Sequence, residues 1–354
     1  MHSRLRIAQV APLSESVPPK LYGGTERIVA TLTDELLRQG HEVTLFASGD
    51  SETRARLVSP CPQALRLSGT TDELSMHLLM AEMVAQQADE FDVLHFHIAP
   101  LHFSLARRLA CPHLTTLHGR LDLPHLAPLF AEFSDLPLVS ISDAQRGPLP
   151  SQNWLATVYH GLGDDELPFR AVPSSYLAFL GRISPEKRVD RAIAIAKACG
   201  MPLKIAAKVD PVDEPYFTQE IEPLLAHPLI EFVDEIGDAQ KGAFLGQARA
   251  LLFPIDWPEP FGLVMIEALA CGTPVVAFRG GSVAEVIDDG VTGFIVDNLD
   301  DAIAATNRVG TLDRRMCRRQ FLDRFTAARM TNDYVKVYGR LREATALVGA
   351  AMHG

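Results

Sequence analysis

Phe253-Pro254-Ile255-Asp256-Trp257-Pro258-Glu259-Pro260-Phe261-Gly262-Leu263-Val264-Met265-Ile266-Glu267-Ala268 runs from the end of an apolar strand, through a proline-rich turn, into an apolar helix. A residue before proline is pushed out of the α region, so Pro258 and Pro260 hold the segment around Glu259 extended. Gly262 then lets backbone approach a ligand closely where the helix begins. The unpaired N–H groups of that first turn, with the positive end of the helix dipole, form an anion site. Glu259 and Glu267 flank it, eight positions apart. On a continuous helix that spacing would span about 12 Å, too far for the roughly 5 Å carboxyl pair of a double-displacement glycosidase. The two read instead as hydrogen-bonding partners for different hydroxylated groups on either side of a phosphate. Glu267 lies in an otherwise apolar helix, and a buried carboxylate needs partners.

Outward from this stretch the same strand-then-helix alternation continues in both directions. Strands are expected near Tyr176–Leu180, Leu203–Ala206, Ile230–Val233, Ala250–Phe253, Pro274–Phe278 and Gly293–Val296, with helices over Val189–Cys199, Ala239–Ala248 and Gly262–Cys271. The first half repeats the pattern with Leu5–Ala11, Glu42–Ala47, Asp92–Phe96, His113–Leu117, Leu138–Ile141 and Ala156–Tyr159. These short aliphatic runs read as buried parallel strands. Thr25 to Gln39 sets Ile28, Val29, Leu32, Leu36 and Leu37 on one helical face and stops at Gly40. Two such arrays predict an α/β protein of two facing, doubly wound Rossmann-like domains. The boundaries fall at 1–165, 166–325 and 326–354, the last a helix packing back on the first domain. Residues 313–347 read as helical throughout, closing helices with no strand to cross to. Ligands in such folds bind outside the carboxyl ends of the strands, and the cleft between two domains is the expected site.

Composition agrees and narrows the partners. The chain has 354 residues, 47% hydrophobic and 22% charged, an ordinary globular mix that fits two domains. No apolar run approaches the roughly 18 residues of a spanning helix, and the first apolar run lacks a secretion-signal pattern. The reading is therefore cytoplasmic, with no stable membrane insertion. A net charge of −11 repels phosphate backbones, which argues against nucleic acid as a partner. Five cysteines without a C-x-x-C spacing predict neither a disulfide framework nor a zinc site. One basic run, Arg314, Arg315, Arg318, Arg319, Arg324 and Arg329, reads as a solvated helix face, with a lipid or polyanion contact as the second reading.

A second cluster follows the first strand of the second domain: Leu180-Gly181-Arg182-Ile183-Ser184-Pro185-Glu186-Lys187-Arg188. The Arg182 guanidinium and the Lys187 ammonium, on one strand-to-helix loop, are both able to reach a diphosphate and stabilise it as it leaves. In the first domain Tyr22-Gly23-Gly24-Thr25-Glu26 opens a helix, but no G-x-G-x-x-G precedes it, so a dinucleotide fingerprint is missing. His95-Phe96-His97, with His102, could suggest a metal, yet histidines at a cleft or satisfied in the core fit better. Asp143 and Arg146 follow Ser142, which reads as a helix N-cap.

Together R-x4-K after a strand, and E-x7-E within E-P-F-G-L-V-x-x-E-A-x-A-x-G-T-P-V-V-A, resemble family four of the retaining glycosyltransferases. Those are the glycogen-synthase and mannosyltransferase-like enzymes of GT-B architecture. Gly23-Gly24, His118-Gly119 and Glu285 in Gly280-Gly281-Ser282-Val283-Ala284-Glu285 extend the match over most of the chain. The resemblance implies that Arg182 and Lys187 hold the donor diphosphate, that Glu267 binds the ribose, and that Glu259 with the backbone of Phe261, Gly262 and Leu263 holds the transferred sugar. It implies that Gly24 offers an N–H to the distal phosphate and that His118 lines the sugar pocket near the reacting carbon. Apart from the resemblance, Gly23, Arg120 and Asp122 read as acceptor contacts. His118, Arg182, Lys187 and Glu259 are then the catalytic set. Two positions depart from the family: Arg188 follows the lysine where glycine is frequent, and Asp234 stands where glycine is common.

The reaction implied moves a hexose from a nucleotide-diphosphate sugar to a hydroxyl on a small-molecule or glycan acceptor, with retention, through same-face attack assisted by the leaving phosphate. No cofactor is expected, and no metal, since no D-x-D triplet is present to hold one. A GT-B nucleotide-sugar epimerase or phosphorylase is the alternative.

Overall fold

The computed structural model describes residues 4–20, 23–69 and 72–353, and side chains only as far as 347. Two units are resolved in it. The first runs through Gly161 and resumes at Ala327; the second is the contiguous stretch Leu162–Thr326. The expected boundaries of 165 and 325 lie a few residues from these.

The first unit is built on one parallel sheet. Its strands are β1 (Arg6–Val10), β2 (Glu42–Phe46), β3 (Arg56–Val58), β4 (Val93–Phe96), β5 (His113–Thr116), β6 (Leu138–Ser140) and β7 (Trp154–Thr157). Their order across the sheet is β3-β2-β1-β4-β5-β6-β7. That is the doubly wound order whose switch point lies between the first and fourth strands, so the loops after β1 and β4 diverge and leave room for a ligand. Ile7, Ala8 and Val10 of β1 are fully buried, as a central strand covered on both faces must be. The helix Gly24–Arg38 buries Ile28, Val29, Leu32 and Leu36 on one face. It closes through Gly40 in a left-handed conformation.

The second unit repeats the plan with β8 (Leu177–Ile183), β9 (Leu203–Val209), β10 (Ile230–Asp234), β11 (Ala250–Phe253), β12 (Val275–Phe278) and β13 (Gly293–Val296). The order is β10-β9-β8-β11-β12-β13, the same winding. Its helix Leu263–Ala270 buries Met265, Ile266, Ala268 and Leu269, which is why that helix reads as apolar nearly all round.

Four expectations need correction. The strand β3 was not anticipated, because its three residues, Arg56, Leu57 and Val58, give too short an apolar signal at a sheet edge. The last strand of the first unit begins at Trp154, two residues before the expected Ala156. Residues 313–347 form two helices, Arg314–Arg324 and Ala327 onward, interrupted at Phe325 and Thr326. The break lies at the junction of the units, where Thr326 bridges to Leu162.

The fourth correction concerns the arginine run, which is not a solvated face. Arg314 is buried and donates to the carbonyls of Arg170 (2.8 Å), Gly246 (2.8 Å) and Ala248 (2.9 Å) and to the Thr273 hydroxyl (2.7 Å). Arg318 reaches the carbonyls of Leu167, Ala270 and Asp164, Arg324 that of Glu285, and Arg329 that of His160. The guanidinium forks satisfy carbonyls that loop and helix ends leave open. Only Arg315 and Arg319 of the run are exposed. Among the described residues no helix is long and apolar enough to cross a membrane.

The helix from Ala327 belongs to the first unit, where Tyr334 and Tyr338 are fully buried. Both lie beside His95, with ring centroids 4.8 and 5.7 Å away. Burial lowers the pKa of His95, His97, His102 and His160, all in this unit, well below the ordinary imidazole value. The sign follows directly. Below about pH 6.5 the unfolded chain takes up protons that the folded unit refuses, so stability is held above that pH and lost beneath it. Each such histidine steepens the loss by about 1.4 kcal/mol per pH unit. Urea midpoints should therefore fall sharply between pH 7 and 5.5, and a flat profile over that range would show that these imidazoles titrate normally.

Candidate functional site

In the second unit the two motifs meet. Lys187 ends a short turn, Pro185–Lys187, after β8, and Glu259 lies in the loop after β11. The Lys187 ammonium and the Glu259 carboxylate are 2.5 Å apart although 72 positions separate them in sequence. The Trp257 indole N–H donates to the same carboxylate oxygen at 3.0 Å. The ammonium stands 4.6 Å from the centre of the Trp257 ring and 5.7 Å from that of Phe253, a partly apolar cage that strengthens a fixed positive charge. Asp256 N–H bonds to the Glu186 carbonyl at 2.8 Å and ties the two loops together.

Gly262 caps the helix Leu263–Ala270 with φ of +76°. A side chain there would meet Met265 Cε at 2.8 Å and Glu259 Cγ at 3.3 Å, so glycine is needed for both the turn and the packing. The Glu259 loop is gripped from behind by Gly280-Gly281-Ser282. The Ser282 N–H bonds to the Glu259 carbonyl and its hydroxyl to the Phe261 carbonyl, both at 2.9 Å. A Cβ on Gly281, whose φ is +50°, would sit 2.1 Å from the Glu259 carbonyl oxygen. Gly281→Ala should displace Glu259 and, where Glu259 holds the donor as the resemblance implies, weaken donor binding about tenfold. Gly290→Ala, at φ of +74° with nothing within 4 Å, carries the same backbone penalty without the collision. Equal donor affinity in the two variants would separate Glu259 from binding.

Glu267 is buried on the same helix, and its Oε1 lies 3.2 Å from the ammonium of Lys241. Lys241 also pairs with Asp238 at 2.7 Å. Sequence reasoning missed Lys241, since its partner is 26 positions away and nothing local marks it. Arg182 does not join Lys187. Its guanidinium lies 2.7 Å from Glu186, 3.6 Å from Asp210 and 3.5 Å from Asp213. An incoming anion would have to compete with these carboxylates.

The two departures from the family acquire a physical reason. Arg188 at φ of +53° and Asp234 at +63° are the non-glycine residues in the left-handed region among those described. Glycine takes that conformation without cost. Arg188 holds it through ion pairs with Asp190 (2.8 Å) and Asp256 (2.9 Å), the latter in the site loop itself. Asp234 belongs to a type that tolerates the conformation, and its carboxylate accepts the next residue's N–H.

In the first unit a cavity of about 330 Å³ opens beside the switch point, lined by Pro12, Thr25, Leu101, His118, Arg120 and Phe130 among others. Gly23 precedes the helix that begins at Gly24. A Cβ at Gly23 would collide with Pro19 at 2.7 Å, so close packing fixes that glycine; Tyr22 lies outside the described residues. Arg120 is held by Asp122 through two 2.7 Å bonds. His118 follows β5, stacks on His160 at 5.3 Å and contacts His97 through Nε2 at 2.9 Å. Burial lowers its pKa to about 3, so the ring is neutral. His95 and His97 are both satisfied in the core, and Ser142 does cap its helix, accepting from the Gln145 N–H.

Comparison with known proteins supports the same reading. A match described as "Glycosyl transferases group 1" covers residues 169–313. The alpha-maltose-1-phosphate synthase of Mycobacterium tuberculosis is 25% identical over 93% of this chain and 99% of its own length. The D-inositol 3-phosphate glycosyltransferase of Mycolicibacterium smegmatis is 27% identical over 82% of this chain and 79% of its own. AviGT4, a glycosyltransferase involved in avilamycin A biosynthesis, superposes with a TM-score of 0.72 at 26% identity, covering 96% of this chain and 98% of that one. Two Rossmann-like units with this winding are the GT-B architecture, and the family described as "Glycosyltransferase Family 4" matches residues 22–199, half of the chain. With that match over half of the chain on that frame, the chain is a glycosyltransferase and belongs to family 4.

Proposed function

We propose that the protein moves a hexose from a nucleotide-diphosphate sugar to a hydroxyl acceptor, with retention of configuration and without a metal ion. The observation that carries this is the 2.5 Å contact of Lys187 with Glu259 beside the glycine cap of the helix Leu263–Ala270. A fixed ammonium, a carboxylate and a helix N-terminus at one place suit a sugar diphosphate. Glu259 and the backbone of Phe261, Gly262 and Leu263 take the sugar hydroxyls, Lys187 and Arg182 take the diphosphate, and Glu267 takes the ribose. As the glycosidic bond lengthens, negative charge grows on the diphosphate and positive charge on the sugar ring. Lys187 and the helix dipole offset the first, Glu259 the second. In the first unit Gly24 offers an N–H to the distal phosphate, His118 a nitrogen lone pair to a substrate hydroxyl, and Gly23 and Arg120 border the acceptor. Metal independence rests on the two cations doing the work of a bound ion. The five cysteines are unpaired thiols, which fits a reducing, cytoplasmic setting.

The test is incubation with a panel of nucleotide sugars, scoring nucleoside diphosphate release that depends on both donor and acceptor. Release should persist in a chelator. Activity abolished by chelation and restored by manganese would overturn the metal-free reading, and donor turnover without an acceptor would favour an epimerase or phosphorylase. Glu267→Ala should raise the donor KM about tenfold or more with a smaller change in kcat, because a charged hydrogen bond is worth roughly 1.5–3 kcal/mol. An unchanged KM on the true donor would remove Glu267 from the ribose site.

A further inference from the structure

The sheet of the first unit contains a run of hydrogen bonds whose direction is fixed at one residue. Gln9, fully buried on β1, donates its Nε2–H to the Tyr338 hydroxyl at 3.2 Å and accepts at Oε1 from His97 Nε2 at 2.8 Å. An amide nitrogen cannot accept and an amide oxygen cannot donate, so with the Gln9 amide turned this way the proton of His97 sits on Nε2. His97 is neutral, which leaves its Nδ1 a bare acceptor. His118 Nε2, 2.9 Å from that atom, must therefore carry the proton of its own ring. The remaining nitrogen, His118 Nδ1, is left with a lone pair. It is buried and has no hydrogen-bond partner among the described residues. On the other side of Gln9 the contacts continue: the Tyr338 hydroxyl lies 2.8 Å from His95 Nδ1, His95 Nε2 lies 2.7 Å from Thr116 Oγ1, and Thr116 Oγ1 lies 3.0 Å from the Tyr334 hydroxyl.

An unsatisfied buried acceptor in a native fold calls for an explanation. Most of the other polar side chains around this cavity are occupied, and Thr25 also lines it. His77 accepts from the Leu13 N–H and faces the Glu73 carbonyl, Thr116 is bonded as above, and Arg120 is clamped by Asp122. Leu101, Leu117, Leu121 and Phe130 supply apolar wall.

We propose that Gln9 is a positioning residue: through His97 it locks His118 in the Nε2–H tautomer, so that His118 Nδ1 meets a substrate hydroxyl as an acceptor only. The site then selects a ligand that brings an O–H donor to this point and disfavours one that brings a carbonyl or a carboxylate. Gln9 touches no substrate; it acts two residues away by deciding which nitrogen is bare. This deepens the proposed function and rests on it for the identity of the ligand, but the tautomer does not.

The test uses the full chain labelled with 15N-histidine, with His118→Gln to assign the His118 signals in a long-range proton–nitrogen spectrum. The expected wild-type pattern is a protonated, pyrrole-type Nε2 and a bare, pyridine-type Nδ1. Gln9→Leu removes the direction, lets His97 carry its proton on Nδ1, and should move the His118 proton partly or wholly to its own Nδ1, with about a tenfold loss of kcat/KM. Gln9→Glu as a neutral acid has the same C=O acceptor and O–H donor, and as a carboxylate still accepts from His97. It should restore the wild-type tautomer and recover most of the rate lost in Gln9→Leu. A wild-type His118 protonated at Nδ1 overturns the proposal whether or not any variant folds. So does Gln9→Leu with an unchanged tautomer and unchanged kinetics. The stated tautomer in a protein that transfers no sugar would leave this relay standing and remove the proposed function instead.

Discussion

Lys187→Ala is expected to lower turnover about 10²- to 10³-fold, the cost of removing one preorganised electrostatic partner from a developing charge. Two losses combine. In the proposed mechanism the departing diphosphate no longer meets an ammonium, and Glu259, only 7% exposed, keeps its Trp257 N–H but loses its cation. Because the ammonium acts on charge that appears as the bond breaks, the drop should fall mainly on kcat rather than on the donor KM. The double variant Lys187→Ala with Glu259→Gln should lose less than the product of the single effects, since the residues share one interaction. Steady-state release of nucleoside diphosphate measures all three. A single variant that turns over as the wild type would exclude Lys187 from leaving-group stabilisation.

The second large effect concerns folding. Arg314→Met keeps the apolar stem and deletes the guanidinium, taking the donor from the Gly246 and Ala248 carbonyls in the interior of the second unit and from the Arg170 carbonyl, while the Thr273 hydroxyl keeps its bond to the Leu245 carbonyl. Breaking a buried charged network from one side costs about 3–5 kcal/mol, on the order of 10 °C in Tm for a unit of this size. Arg314→Lys should recover little, because a point charge cannot span acceptors arranged around a planar fork. Arg319→Met, on the same helix but exposed, is the control and should change Tm by no more than a degree or two. Equal melting of the two variants would return Arg314 to the surface.

The winding was legible because parallel strands in a covered sheet are continuous apolar runs, and Leu5 to Ala11 or Ala250 to Phe253 announce themselves. Arg56–Val58 did not, since an edge strand of three residues needs no such run. The meeting of Lys187 and Glu259 could be expected only through the resemblance, as no local rule pairs residues 72 apart. The arginine run misled because helical spacing shows which residues share a face, not what lies against it; here that face meets open carbonyls. Gln9 gave no signal at all. A glutamine in an apolar strand is explained only by neighbours from β4, from the loop after β5 and from the last helix.

The order of synthesis gives the returning last helix a further meaning. The second unit is complete once Thr326 has left the ribosome, but the first is not, because Tyr334 and Tyr338 close its interior from the far end of the chain. The segment made first is therefore finished last. Until then the polar strand residues Gln9 and His95 lack their phenol partners, and a nascent chain halted before Tyr334 should be open to protease in its amino-terminal part while Leu162–Thr326 already resists it.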